Sequence, residues 1–446
     1  GSRMTRRAEG AVLAVILIAY LALAGLYAVR TPDWQAPDEP AHYNYVRQIA
    51  DEGRLPVIAP GDWQQDYQEA LKASGFDPAL LDRLETVQYE DHQPPLYYLL
   101  QTPIYALSGG DLLALRLVSA LLGAGAVIGA WAVIRAALPG RTSLALAGAG
   151  FVAFLPQRLS IAASVNNDAL ADLVVALTLA AAVAYLRGAP RARPLALGIL
   201  AGIALITKTT IYFLAGIVVL AVLLRWRRER WPPRTAAAHL AAAILPALLI
   251  GGVWWARNLH VYGGTDFTGL ARHDEVTVGQ VRTDEYIEGT LGGDEQQYVE
   301  NLVRTTFHSF WGQFGWMAVP LPASVYRALG AITLGLLAGA MIYAWRARFP
   351  RALDGPGRDA LILFAAVILL VGAAFLLYNR DFVQFQGRYL FPALIPLALI
   401  VAAGLRGWAG LVFGRRAFAD WLPLAAVGAL ALFALVALER YLVPNL

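Results

Sequence analysis

Asp38 and Glu39 are the first residues in the chain whose type and spacing suggest chemistry. They stand between Pro37 and Pro40, just after the first long apolar stretch, and His42 follows in the next helical turn. Proline suits the first turn of a helix, and acidic residues suit its N-terminus, where the helix dipole favours an ionised carboxylate. Such a carboxylate can act as a general base toward a hydroxyl. Two capping acids in a loop are the simpler interpretation of these residues taken alone.

A second polar cluster lies at residues 89–93, immediately before the paired prolines and tyrosines at 94–98. Its candidate substrate-binding residues are His92 and Gln93, with Tyr97 following them. Prolines permit a chain to turn into a membrane, and tyrosines are typical of the membrane interface. Anchoring at the interface would explain the tyrosines, but it needs fewer polar residues than this cluster has.

Asn167 and Asp168 begin a later apolar segment. Capping of a helix would by itself explain Asp168. If Asp168 lies on the same side of a membrane as Asp38, however, the two carboxylates could bind an acceptor, a metal ion or a water molecule. A divalent cation is therefore possible near Asp38, Asp168 and His92, but we expect no obligatory cofactor.

Three cations stand at the ends of apolar segments: Arg116, Lys208 and Arg388. Snorkelling of a long side chain to the interface explains any one of them. Several cations at the same depth would suit the phosphate of a lipid. The aromatic run at 307–316, which contains Trp311, fits either an interfacial aromatic belt or, with its interleaved glycines, a surface for a sugar ring.

The composition excludes several classes of protein. Of the 446 residues, 58% are hydrophobic and only 15% are charged, whereas a soluble domain carries about a quarter charged residues. The chain has no cysteine, so disulfides, thiolate catalysis and cysteine-ligated metals are excluded. The net charge of +4 does not indicate a nucleic-acid partner, because the cations form short clusters between apolar runs.

Apolar stretches predict an all-α polytopic membrane protein. A spanning helix needs about 20 apolar residues. Eleven candidate segments are found, at residues 11–29, 111–135, 142–158, 168–187, 194–207, 210–225, 236–257, 323–345, 359–378, 388–405 and 421–439. The segment at 194–207 is short and is expected to run on into the polar corner at Lys208. Another apolar stretch, at 94–107, is also short, and we interpret it as an interfacial or re-entrant helix.

The arginines predict the orientation of these spans. With eleven spans, every arginine cluster falls on one face, which the positive-inside rule identifies as the cytoplasm. The clusters are Arg3, Arg6 and Arg7; Arg135 and Arg141; Arg187, Arg191 and Arg193; Arg225, Arg227, Arg228, Arg230 and Arg234; Arg346, Arg348, Arg351 and Arg358; and Arg406, Arg415 and Arg416. The N-terminus is therefore expected on the cytoplasmic side of a prokaryotic cytoplasmic (inner) membrane, and the candidate site on the extracytoplasmic side.

Two long loops then face the outside, and they carry most of the acidic residues. Of 32 acidic residues, 13 lie in the first loop and nine in the second. The predicted organisation is a first span at 1–29, a loop with interfacial helices at 30–110, spans two to seven at 111–257, a second loop at 258–322 and spans eight to eleven at 323–446.

The order of the motifs resembles the GT-C glycosyltransferases, and specifically the group that uses polyprenyl-phosphate-linked sugars, which includes protein O-mannosyltransferases and lipid A aminoarabinose transferases. No single motif is specific, but together they cover most of the membrane-spanning part of the chain. They are Asp38-Glu39, Pro94 to Tyr98, Leu115 to Leu121, Asn167-Asp168, Ile206 to Lys208, Trp254-Trp255 with Arg257-Asn258 and Tyr262-Gly263, and Gly387 to Leu390 with Pro392.

The resemblance implies roles for individual residues. Asp38 would be the catalytic carboxylate, supported by Glu39, and Asp168 would match the second acidic position. Lys208 and Arg388 would face the lipid phosphate. Further candidate substrate-binding residues are His42, His92, Tyr97, Arg116, Asn167, Arg257, Trp311 and Tyr389. One departure is Gln93, which stands where relatives often carry a phosphate-binding lysine, so the phosphate is held by other cations or the donor binds differently.

The resemblance also implies an activity. We expect transfer of a sugar from a polyprenyl-phosphate donor to a hydroxyl of a lipid, glycan or protein acceptor, with inversion and with Asp38 as general base. Membrane lipids are expected partners and nucleic acid is not. Two alternatives remain open, a polymerase or ligase of lipid-linked glycans and a flippase or transporter for such lipids. Only the polymerase or ligase needs a lipid-pyrophosphate donor, and only the flippase moves lipid without transferring sugar.

Overall fold

A computed structural model describes residues 4–189, 193–414 and 417–446. Four arginines of the predicted clusters, Arg3, Arg191, Arg415 and Arg416, lie outside the described residues. Helices make up nearly all of the regular structure in the described ranges, which confirms the predicted all-α fold class. The exception is a small antiparallel hairpin of β1 (Gln313–Phe314) and β2 (Val319–Pro320).

The α-helices follow one another with short connections. They are α1 (Arg6–Arg30), α2 (Glu39–Glu52), α3 (Gln65–Ala73), α4 (Leu96–Ser108), α5 (Leu112–Ala137), α6 (Thr142–Phe154), α7 (Pro156–Ala162), α8 (Asp168–Leu186), α9 (Pro194–Leu205), α10 (Phe213–Glu229), α11 (Pro233–Tyr262), α12 (Leu270–Val276), α13 (Thr283–Glu285), α14 (Glu295–Trp311), α15 (Ala323–Arg346), α16 (Gly355–Asp381), α17 (Leu394–Phe413) and α18 (Leu422–Val436). Short 3-10 helices occur at Pro78–Thr86, Thr209–Ile211, Gly387–Ala393, Ala417–Asp420 and Val443–Asn445, and π-helical turns at Tyr286–Thr290 and Ala437–Leu442.

All eleven predicted spans coincide with helices, although not all of these helices are full crossings. Within the described residues, nine helical stretches are long and apolar enough to cross a membrane, and the bent pair α6–α7 would make a tenth. The remaining segment, α9, has 12 residues and is therefore about 18 Å long, against the roughly 30 Å of a bilayer core. As expected, the chain beyond α9 continues through Lys208 into the next 3-10 turn.

The bend of 62° between α6 and α7 has a local cause. Pro156 has no N–H, so the carbonyl of Val152 loses its helical partner. Arg158 Nη1 donates to that carbonyl at 3.1 Å, and Arg158 Nε pairs with Asp172 at 2.9 Å. In hydrocarbon an unpaired carbonyl is costly, so the arginine and its counter-ion stabilise the break.

Ion pairs show which helix ends lie together. Arg187 at the end of α8 pairs with Asp354 before α16 at 2.9 Å, and Arg228 at the end of α10 pairs with Asp359. Arg187 and Arg228, together with the start of α16, therefore lie at one end of the bundle, here called the arginine end. The first residue of α8, Asp168, consequently lies at the opposite end, here called the site end.

Residues 31–95 form a small lobe at the site end, between α1 and α4. Its apolar centre consists of Ala41, Leu71, Phe76, Val87 and Tyr89. The hairpin of the second long loop reaches the lobe, because Trp316 Nε1 donates to the carbonyl of Trp34 at 3.0 Å. The lobe therefore packs on both the helix ends and the second loop.

Candidate functional site

Asp38 occupies an unusual backbone position directly before α2. Its φ of 65° is in the left-handed region, where a residue other than glycine is uncommon, and strain of this kind is frequent at functional sites. One carboxylate oxygen accepts a hydrogen bond from the Tyr89 hydroxyl at 2.8 Å, and the other pairs with Arg388. The side chain keeps 20% of its surface exposed, so a substrate can reach it.

The surroundings of Asp38 hold its pKa below the ordinary value of a carboxyl group. Burial alone would raise the pKa, but the Arg388 guanidinium, the charge of His42 and the hydrogen bonds from Arg388 and Tyr89 outweigh burial and lower it. Asp38 is therefore ionised at neutral pH.

Arg388 joins the two predicted carboxylates. It pairs with Asp38 through Nη2, and its Nη1 lies 3.9 Å from Asp168 Oδ2. Lys208 Nζ binds the other oxygen of Asp168 at 2.5 Å. The Nε of Arg388 is buried and has no hydrogen-bond partner among the described residues, which leaves one donor available to a ligand oxygen or a water.

Three chain turns bring these charges together. Asp168 is the first residue of α8, Lys208 stands in the corner after the short α9, and Arg388 lies in the 3-10 helix that leads into α17. Because α9 ends early, Lys208 lies at the level of the start of α8. The short length of α9, which is visible in the sequence, thus helps to place Lys208 beside Asp168.

A second set of polar groups lies beside Asp38. Ligand atoms of Asp38, His42 and Glu90 are within 4.8 Å of one another, an arrangement that can hold a divalent cation. Gln93 Nε2 donates to Glu90 at 2.8 Å, and Asn167 reaches Gln93 at 3.4 Å. Gln93 thus orients the carboxylate of Glu90 in this structure.

Glu39 and Arg116 form a buried ion pair next to the site. Two of the guanidinium N–H groups bind Glu39, at 2.8 and 2.6 Å. The other three bind the carbonyls of Ala28, Thr31 and Pro32. All five donors of Arg116 are therefore occupied, and none is left for a lipid phosphate in this arrangement.

Tyr97 and His92 lie behind the charged groups. The Tyr97 hydroxyl lies 2.7 Å from Ser119 Oγ and accepts the backbone N–H of Asn166 at 3.0 Å, so Tyr97 fixes the loop before Asp168. His92 is buried, its Nδ1 lies 3.1 Å from the carbonyl of Tyr89, and its ring packs against His273 of α12. His92 therefore links the lobe to the second loop.

Three further candidates make their contacts with residues other than the two carboxylates. The Arg388 guanidinium carbon lies over the ring of Tyr389, 5.4 Å from the ring centroid. Arg257 donates to the carbonyl of Pro56 and stacks on the ring of Trp254. Trp311 is buried, and its ring packs edge-on against Phe151 at 6.0 Å.

Tyr89 and Glu90 are site residues that sequence reasoning did not select. Both belong to the polar run at 89–93, whose excess of polar residues was the available signal. Their roles depend on partners some 50 residues away, such as Asp38, so the run by itself does not distinguish them from His92 and Gln93.

Comparisons with known proteins agree with this architecture. A family model described as "Predicted membrane protein (DUF2142)" matches residues 64–398. No curated protein sequence matches the chain. Among solved structures, ArnT from Cupriavidus metallidurans in the apo state is similar with a TM-score of 0.52 at 16% identity, over 97% of this chain and 73% of that chain. The same protein bound to undecaprenyl phosphate gives a TM-score of 0.49 at 16% identity, with the same coverage. The likeness to apo ArnT concerns the fold alone, and it confirms the GT-C fold expected from the sequence.

Replacing Glu39 with glutamine should strongly destabilise the protein, because it leaves the charge of Arg116 buried without a counter-ion. Breaking a buried pair costs about 3–5 kcal/mol. The matched control is Glu439→Gln, since Glu439 pairs with Arg30 at 2.9 Å in an exposed position where the cost is about 0–1 kcal/mol. Thermal unfolding of both variants in detergent measures the difference. Equal shifts in the unfolding temperature would contradict a structural role for Glu39.

Proposed function

We propose that this chain, which belongs to the DUF2142 family of predicted membrane proteins, is a glycosyltransferase that moves a sugar from a polyprenyl-phosphate donor to an acceptor hydroxyl. The chain is a multi-pass membrane protein, and its charged cluster lies at one end of the helical bundle. The observation that carries the proposal is the arrangement of Asp38 and Asp168 around Arg388 and Lys208. A carboxylate can take the proton of a hydroxyl nucleophile, and cations next to it can stabilise the charge of a phosphate leaving group.

In the proposed reaction the acceptor hydroxyl attacks the anomeric carbon of the donor sugar. Asp38 takes the hydroxyl proton as the new carbon–oxygen bond forms. The bond between the anomeric carbon and the phosphate oxygen breaks, and polyprenyl phosphate leaves from the opposite face, so the configuration inverts. No nucleotide is needed, and the sequence has no glycine-rich phosphate loop.

The low pKa of Asp38 makes it a weak base until the donor binds, since Arg388 compensates its charge. The donor phosphate competes with Asp38 for Arg388, whose Nε has a free donor. Once the guanidinium turns to the phosphate, the pKa of Asp38 rises toward its ordinary value and the carboxylate becomes a better base. Binding of the donor would thus activate the base.

Lys208 and Arg388 would also stabilise the charge on the departing phosphate, an interaction that is stronger in a site with little water. Asp168 holds Lys208 in place at 2.5 Å. Glu39 supports Asp38 through Arg116 and would not contact the reacting atoms. Gln93 donates a hydrogen bond to Glu90 and accepts one from Asn167, so these two residues orient Glu90. The ring of Tyr389 packs against the Arg388 guanidinium.

Replacing Asp38 with asparagine should leave the protein folded and reduce transfer by about 10²–10⁴-fold, because the general base is lost. Asp51→Asn, an exposed change near the end of α2, the helix that Asp38 precedes, is the control and should keep wild-type transfer. The assay offers polyprenyl-monophosphate and polyprenyl-pyrophosphate sugars in parallel. Wild-type turnover by the Asp38→Asn protein would exclude the assigned role. Use of the pyrophosphate donor alone would favour a polymerase or ligase, and lipid transport without sugar transfer would favour a flippase.

We propose that no divalent cation is obligatory, because Arg388 and Lys208 already supply positive charge at the carboxylates. Transfer measured after dialysis against EDTA should therefore match transfer in added Mg²⁺ or Mn²⁺. Glu90→Gln removes one of the three grouped ligands and should not create a metal requirement. Loss of activity in EDTA, restored by metal in the wild type and not in Glu90→Gln, would instead identify Asp38, His42 and Glu90 as a required cation site.

We propose that the site end faces the extracytoplasmic side of a prokaryotic cytoplasmic membrane and that the arginine end faces the cytoplasm, as the positive-inside rule favours. Because the chain has no cysteine, a single introduced cysteine is the only labelled thiol. Ala73→Cys on α3 should react with an impermeant maleimide on intact cells, whereas Ala352→Cys at the arginine end should react only after lysis. Both positions are exposed. The reverse labelling pattern would invert the topology.

A further inference from the structure

A large open cavity lies at the arginine end of the bundle. Its volume is about 1680 Å³, above the roughly 300–1,000 Å³ of sites for drug-sized ligands. Three parts of the chain line it, namely residues 140–144, residues 343–352 and the last turns of α17. The second part leads to Asp354, the partner of Arg187, which places the cavity at this end. The cavity therefore forms between the ends of different helices.

Five arginines line the cavity, and among the described residues only one of them has an acidic partner. They are Arg141, Arg346, Arg348, Arg351 and Arg406. Arg406 pairs with Asp420 at 3.0 Å, whereas no carboxylate within the described ranges pairs with the other four. At the same end of the bundle, Arg187 and Arg228 each have an acidic partner. The cavity therefore concentrates uncompensated positive charge, which favours an anionic ligand.

Arg141 is held in the cavity wall by two aromatic rings. Its guanidinium carbon lies 5.5 Å from the ring centroid of Tyr343 and 5.5 Å from that of Phe349. Its Nη1 donates to the Tyr343 hydroxyl, while its Nε and Nη2 have no hydrogen-bond partner in the part of the chain that the structure describes. An arginine fixed in this way loses little freedom when its remaining donors bind phosphate oxygens.

The walls of the cavity favour a lipid over a soluble anion. Trp345, in the last turn of α15, lines the cavity and has 81% of its surface exposed. Tryptophan is typical of the interface between membrane and water. On the opposite wall, the exposed apolar side chains of Leu411 and Val412 follow Gly410. Cations thus lie next to apolar surface, as the headgroup and the acyl chains of a lipid require together.

A missing side chain on α17 leaves the space open. At Gly407 the helix packs against α15 backbone to backbone, because a Cβ there would overlap the carbonyl of Gly339. Nearly one turn later, at Gly410, a Cβ would meet only the Nη1 of Arg406, at 3.3 Å. The close contact between the two helices has therefore ended at Gly410, and a side chain at this position would enter the cavity.

We propose that this cavity binds the headgroup of an anionic phospholipid that carries two phosphates, taken from the leaflet at the arginine end. A headgroup with one phosphodiester would leave most of the four unpaired arginines uncompensated. With two phosphates, Arg141 would bind one and Arg348 and Arg351 the other, so that the lipid would join the ends of α5 and α15. Basic pockets between spanning helices bind such headgroups in other membrane proteins. The site is separate from Asp38 and does not depend on the proposed transfer reaction.

Native mass spectrometry of the delipidated protein in detergent measures the binding. The probes are diphosphatidylglycerol, phosphatidylglycerol, phosphatidylcholine and soluble pyrophosphate. We expect diphosphatidylglycerol to bind about tenfold more tightly than phosphatidylglycerol, as for one additional charge-assisted contact, and phosphatidylcholine to bind more weakly than either. Equal affinity for the two anionic lipids would overturn the assignment of a headgroup with two phosphates. Pyrophosphate that bound as tightly as diphosphatidylglycerol would overturn the lipid and indicate a soluble anion.

Two double variants locate the site. Arg348→Gln with Arg351→Gln removes two exposed, unpaired cations from the cavity and should weaken diphosphatidylglycerol binding by roughly tenfold to 100-fold. The matched control is Arg227→Gln with Arg234→Gln, which removes the same charge from exposed positions at the arginine end outside the cavity and should leave the affinity nearly unchanged. Equal losses in the two double variants would show nonspecific attraction and overturn the site.

Gly410→Leu tests the cavity without changing its charge. The leucine side chain would occupy the space beside Arg406 and should weaken diphosphatidylglycerol binding, while the unfolding temperature of the lipid-free protein should not fall, because leucine favours a helix more than glycine does. Gly428→Leu, at an exposed and open position of α18 outside the cavity, is the control and should bind the lipid normally. Normal binding by folded Gly410→Leu protein would contradict the proposal.

Discussion

The buried ion pair of Glu39 and Arg116 is the interaction on which the candidate site depends most. Arg116 binds the end of α1 and the two residues that follow it, while Glu39 also accepts the backbone N–H of Val165 at 3.1 Å. One guanidinium and one carboxylate thus hold together α1, α2, α5 and the loop before α8. Both charges are out of water, so their separation is unfavourable and the four segments keep one arrangement.

Because of this pair, the side chain of Glu39 is buried while that of its neighbour Asp38 stays partly exposed. Glu39 is fully buried, so its side chain fixes the direction in which the chain enters α2. The left-handed backbone at Asp38 then turns the adjacent carboxylate toward Tyr89 and Arg388. Strain at one residue is thus maintained by the ion pair of the next. An acidic pair in sequence can therefore supply one group for structure and one for chemistry.

Sequence reasoning predicted the features that depend on long apolar runs and on helix starts. The eleven helices, the gathering of the arginines and the convergence of Asp38, Asp168, Lys208 and Arg388 all follow from span counting, because antiparallel spans place every second connection at the same end. It could not predict that Glu39 and three backbone carbonyls would together occupy every donor of Arg116, or that Tyr89 and Glu90 would lie beside Asp38. Those relations are set by the packing of the lobe, for which the sequence gives no register.

The bend at Pro156 joins two positions that have to be considered together. Arg158 is tolerated within the apolar bundle because it replaces the amide that the proline lacks, and the proline is tolerated because the arginine is present. Losing Arg158 alone would leave the carbonyl of Val152 without a partner inside the apolar bundle, and losing Pro156 alone would restore an amide that competes with Arg158 for that carbonyl. In homologous sequences the two residues should accordingly be gained and lost as a unit, together with the acid at position 172.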